Sequence, residues 1–147
     1  MISSALSLLS LLALHGAHAA DLDLRISGDG VGSTSVTLRD VKPGALPSVE
    51  LPGPDGRSMR VDMLLAEAVL DGAPAYELAC TVTRSHPAGR RKVHEEVARP
   101  TVRFHSNQQA VVSQGGRAPV KGTDPMQYVE FNTFRIEMTL RTEPNAL

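Results

Sequence analysis

Tryptophan is absent from the 147 residues, cysteine occurs once, and the aromatic set is two Tyr and three Phe. A lone Cys80 closes no intrachain disulfide, so the fold must hold without covalent staples. With so few rings, the core has to be built of Val, Leu, Ile and Met, and stacking on sugars or bases is poorly served. An excess of one charge is lacking too, since 15 Lys and Arg stand against 16 Asp and Glu. Nucleic-acid binding draws its affinity from many phosphate contacts, so no nucleic-acid partner is expected. No HExxH, CxxC or GxSxG occurs, which removes common zinc and serine-hydrolase signatures.

Long hydrophobic runs are also missing. The apolar core Leu6–Leu14 is shorter than the roughly 20 residues a spanning helix needs. It sits within Met1–Ala20, which has no Lys, Arg, Asp or Glu. Ala17 and Ala19 occupy −3 and −1 of a cut after Ala19, the spacing of a secretory signal. Met1–Ser4 departs from that pattern in lacking Lys or Arg. The expected organisation is a signal peptide (1–19), one β-domain (20–141) and a flexible tail (142–147), exported to the periplasm. No Cys follows the apolar core to carry a lipid anchor, and no stable membrane insertion is expected after cleavage.

What is present alternates. Leu22, Leu24 and Ile26 share one strand face, and Val36 and Leu38 another across the glycine-rich turn Gly28–Ser33. Pro47–Leu51 reads as a short strand between Pro/Gly punctuation. Arg60–Leu70 reads two ways. Val61, Leu64, Leu65, Ala68 and Val69 fit a helical stripe, whereas Met59, Val61, Met63 and Leu65 alternate. Propensity favours helix; the surrounding strands favour strand. Tyr76, Leu78, Cys80 and Val82 face one way in the clearest strand, expected to pair as a hairpin with Lys92–Val97 around a basic loop, Ser85–Lys92. Gly115–Pro125 reads as a loop. In Val129–Arg141, Phe134, Ile136, Met138 and Leu140 are out of phase with Val129 and Phe131, which requires a bulge near Asn132-Thr133.

Arg99–Gly115 reads as strand, polar turn, strand, with Pro100, Val102 and Phe104 inward and Ala110–Gln114 returning. Pro47–Val61 echoes it faintly. The pattern Pro100-x-Val102-x-Phe104-x-x-Asn107-Gln108-x-Ala110-x-Val112-x-x-Gly115 resembles a segment of the C-terminal β-domain of bacterial secretins, outer-membrane pores of secretion and pilus systems. The resemblance covers Lys92–Gly115. The chain is far shorter than a secretin and lacks its membrane-inserting hairpins and N-terminal modules, so the resemblance implies a stand-alone β-domain, not a pore. No family binding residues carry over.

The fold class expected is all-β: a small antiparallel sandwich or partly open barrel built of hairpins. The expected function is a non-catalytic interaction or accessory module of the bacterial envelope with an envelope protein as partner. Candidate binding residues are Arg84, Arg90, Arg91 and Lys92 of the basic loop, with Glu95 and Glu96 partly cancelling its field, Asn107 and Gln108, which form an uncharged rim with Gln109 and Gln114, and Arg103, which would discourage indiscriminate pairing there. That rim could take a partner strand if it borders a sheet edge. The alternatives are an exported metal enzyme using His86, His94, His105, Glu95 or Glu96, and a binder of lipid surfaces or acidic partners acting through Arg84–Lys92. No cofactor, no metal site and no catalytic residue is expected. Cys80 belongs to the core by phase, where burial raises a thiol pKa.

Overall fold

A computed structural model describes residues 20–142. The expected signal peptide lies outside the described residues, as does the expected tail beyond Thr142. The described chain forms β1 (Ala20–Gly28), β2 (Gly32–Leu38), β3 (Gly44–Ala45), β4 (Val49–Pro52), β5 (Ser58–Leu70), β6 (Ala73–Ala88), β7 (Arg91–Ala98), β8 (Thr101–Phe104), β9 (Gln109–Val120) and β10 (Gln127–Thr142). A 3-10 turn, Pro54–Gly56, joins β4 to β5.

Two antiparallel sheets result. One has the order β2-β1-β10-β9; in the other, β5 and β6 are central, β3 and β4 flank β5, and β7 and β8 flank β6. The architecture is an all-β sandwich. Alternation builds its core: Leu22, Leu24, Ile26, Phe134, Ile136, Met138 and Leu140 come from the first sheet. Met59, Val61, Met63, Leu65, Leu78, Cys80 and Val82 come from the second. Residues two apart share a strand face, so each strand delivers one apolar row.

The ambiguous segment is strand β5. A helical stripe would have buried Leu64, but strand phase turns it outward and it is 53% exposed. Asp71 and Gly72 both have positive φ, as a two-residue hairpin turn between β5 and β6 requires. The anticipated bulge is present: Asn132 pairs with Gly115 and Phe134 with Gln114, leaving Thr133 extra.

Three expectations need correction. Arg99–Gly115 is not a hairpin, because β8 pairs with β6 in one sheet and β9 with β10 in the other. The polar turn carries the chain across the sandwich. Ser85–Lys92 is mostly strand, with only Gly89-Arg90 as the connection, so β7 pairs with Val82–Ala88 and leaves Tyr76–Ala79 to β8. Gly115–Val120 is likewise strand, the second half of β9.

Two contacts set how the sheets lie. At one end Arg84 of β6 donates to the Thr133 carbonyl of β10 at 2.7 Å. At the other, Phe104, paired with Tyr76 of β6, leads to Asn107, whose amide donates to the Leu140 carbonyl of β10 at 2.7 Å. β6 and β10 therefore run alongside each other, and both continue past the Arg84–Thr133 contact at the same end.

Candidate functional site

Strand β9 is the outer strand of its sheet, and among the described residues no strand pairs with its far side. Its first half, Gln109–Gln114, carries no charge. Ala110 and Val112 pack half-buried against the core, while Val111, on the opposite face, is 43% exposed. The condition attached to the uncharged rim is met: it borders an edge.

Asn107 has a role of its own at the corner before β9. It adopts φ 62°, a left-handed conformation that Asn tolerates. Its side chain donates to Thr142 Oγ1 and accepts from the Thr142 amide, both at 3.1 Å. Asn107 thus pins the end of β10, and its amide group is occupied. Gln108 beside it is exposed. Arg103 pairs with Glu77 across the β6–β8 ladder at 3.0 Å.

The basic residues separate into two kinds. Arg84 is not part of a free loop: its guanidinium donates to the carbonyls of Thr133 and Asp29. Asp29 in turn receives the Asn132 amide on its carboxylate at 2.7 Å and donates its own amide to the Asn132 carbonyl at 3.0 Å. Together they hold the bulge. Arg90, Arg91 and Lys92 are exposed at the end of the β6–β7 hairpin, with no ion pair among the described residues. Glu96 does less to cancel their field than expected, because it is paired with Arg99 at 2.8 Å.

The bulge has a consequence that sequence reasoning missed. In β9 the even residues face the core, and across it Gly116 pairs with Phe131, Ala118 with Val129 and Val120 with Gln127. Thr133 shifts the phase of β10 so that its odd residues join that same face. Phe131 and Val129 therefore continue the core face of the sheet past the end of the sandwich, where they are 42% and 56% exposed. Phe131 lies over Gly116, where an added Cβ would sit 2.9 Å from the ring. The out-of-phase pair Val129 and Phe131 was the visible signal.

The metal-ligand types are spread out. His86 and His94 point to opposite faces of one ladder, since His86 opposes Val93 and His94 opposes Ser85. His105 lies at the other end, hydrogen-bonded to the Pro74 carbonyl at 3.0 Å. Among the described residues no three His, Cys, Asp or Glu side chains gather. Ser85 Oγ and His94 Nδ1 are 2.6 Å apart, a cross-strand pair unforeseen in the sequence. A serine nucleophile also needs an orienting group on its base and oxyanion donors; among the described residues no carboxylate hydrogen-bonds His94. Cys80 is buried, and desolvation pushes its pKa up to about 11.

Comparison with family models, with curated proteins and with solved structures returns no match.

Proposed function

We infer that this chain is an exported, periplasmic β-domain serving as a non-catalytic interaction or accessory module of the bacterial envelope, in association with a secretion or pilus system. The observation that carries the reading is the open outer side of β9, the longer of the two edges of its sheet at 12 residues against 7 for β2. An open edge offers a row of N–H and C=O groups to an added strand, and the alternating side chains supply selectivity. Lysine, proline or inward-pointing charge usually protects such an edge, and Gln109–Gln114 has none of these. Export rests on the Met1–Ala20 pattern, and the link to secretion or pilus systems rests on the resemblance at Lys92–Gly115. The non-catalytic reading rests on a thiol held protonated near neutral pH and on a Ser85–His94 pair without a triad.

The test places lysine at Val111 and Ser113, whose side chains point away from the core. The double variant keeps the thermal midpoint of the parent but loses the envelope protein that crosslinks to it. An identical crosslinking profile for parent and variant would overturn the reading.

A further inference from the structure

Two hairpin arms leave the same end of the sandwich, beyond the Arg84–Thr133 contact. At about 3.4 Å per residue, Ser85–Ala88 carries the β6–β7 arm roughly 14 Å past that contact, and Gln127–Asn132 carries the β9–β10 arm roughly 20 Å. Their chemistry differs. The β9–β10 arm exposes Met126, Tyr128, Val129 and Phe131. It thus holds two of the chain's few aromatic rings, in a protein that buries Phe104 and Phe134. Its charges are nearly cancelled, because Arg117 and Glu130 pair at 3.6 Å and Lys121 is offset by Asp124 in the tip. The β6–β7 arm ends instead in Arg90, Arg91 and Lys92.

We propose that this end of the sandwich docks on an anionic lipid surface, with the β9–β10 arm entering the headgroup region and the Arg90–Lys92 arm resting on the charged plane. Each arm supplies what the other lacks. Apolar and aromatic side chains partition into the interface, and neighbouring cations are drawn to anionic headgroups. Peripheral contact of this kind is compatible with a domain that spans nothing. A second copy of the chain is the weaker occupant. The apolar face of the arm is two strands wide and six residues long, roughly 200 Å², against the roughly 800 Å² per partner of a stable interface. The proposal is independent of the β9 edge.

The absence of Trp makes the test direct. Leu6–Leu14 is itself apolar, so the readout is placed on the arm of the full chain. Phe131→Trp is titrated with vesicles of phosphatidylcholine alone and with one-third phosphatidylglycerol. The expected result is a blue shift with the anionic vesicles only, reversed by 0.5 M salt. Leu64→Trp, exposed midway along the body where Leu64 pairs with Ala79, gives no shift. Replacing Arg90, Arg91 and Lys92 by Gln weakens the response about a hundred-fold, at about five-fold or more per charge. No shift at position 131, or an equal shift at 64, overturns the proposal. So does a concentration-dependent dimer that Phe131→Ser abolishes while vesicles have no effect, which would assign the arm to a second copy.

Discussion

Strands β9 and β10 run side by side through two different surroundings. Between Gln109–Gln114 and Phe134–Thr139 they form sandwich body, with Phe134, Ile136 and Met138 sealed beneath the second sheet. Between Gly115–Val120 and Gln127–Asn132 the same ladder forms an arm whose core-side face has no covering layer among the described residues. The sequence is apolar on both sides of Thr133. What changes is the cover from the other sheet, which touches β10 at the bulge through the Arg84 guanidinium and the Thr133 carbonyl. Apolar alternation therefore specifies a face, and only tertiary cover decides whether that face is core or contact surface.

Thiol chemistry gives the widest contrast between body and arm. A thiol placed in the arm by Phe131→Cys reacts with a disulfide reagent at the rate of a free cysteine. Cys80 in the folded protein has a thiolate fraction roughly 100-fold lower from its raised pKa alone, before burial slows access further. Comparable rates at the two positions would mean that the body is as open as the arm.

Stability separates the two halves next. Phe134→Ala removes a fully buried ring and costs about 3–5 kcal/mol. Phe131→Ala stays within about 0.5 kcal/mol, as surface changes do. Urea unfolding of both variants checks this, and equal losses would show that the arm is packed. The loss at the boundary falls between these two. Arg84→Met keeps the length of the side chain but leaves the Thr133 and Asp29 carbonyls without their donor, for about 1–3 kcal/mol. The same variant should broaden the amide resonances of Gly115 and Asn132, since the bulge loses half of its support.

The smallest effect is electrostatic. Arg141, then the Thr37 hydroxyl, hold the Asp23 carboxyl below its usual pKa on the β1–β10–β2 face of the body. The Ser48 hydroxyl, then Arg60, do the same for Asp62. A depressed folded pKa contributes stability that is complete above the unfolded value, about 3.9, and is lost as pH falls through the folded one. Both groups are largely solvated, so the contribution is modest. Acid titration of Asp23→Asn should show a shallower loss of stability below pH 4 than the parent, and an unchanged slope would remove Asp23 from the account.

Much of the body was legible because period-two alternation is a local property. The phases of β1, β6 and β10 and the bulge at Thr133 all follow from residue spacing. Strand partnership was not legible. Pro100–Phe104 and Ala110–Gln114 look the same whether they pair with each other or cross between sheets, and the distinction lies in Asn107, whose left-handed backbone sends the chain over to β10. The arms were hidden for another reason. Gly115, Gly116 and Pro119 carry turn chemistry, and His86-Pro87 does likewise, so strand extensions looked like loops. Gly116 is there to admit the ring of Phe131, a contact that no one-dimensional pattern announces. The basic triad Arg90–Lys92 was visible, whereas the role of Arg84 as a clamp depended on Asp29 and Thr133, far away in the chain.

The central claim is that β9, and not its counterpart β2, is the edge that receives a partner strand. Site-specific photocrosslinking in the cell envelope tests it directly, with the reactive side chain at Val111 of β9 or at Ser35 of β2. A discrete adduct is expected from position 111, lost when Ser113 is changed to Lys, and none from position 35. An adduct from position 35 alone, or an adduct at 111 that is indifferent to Ser113→Lys, would contradict it.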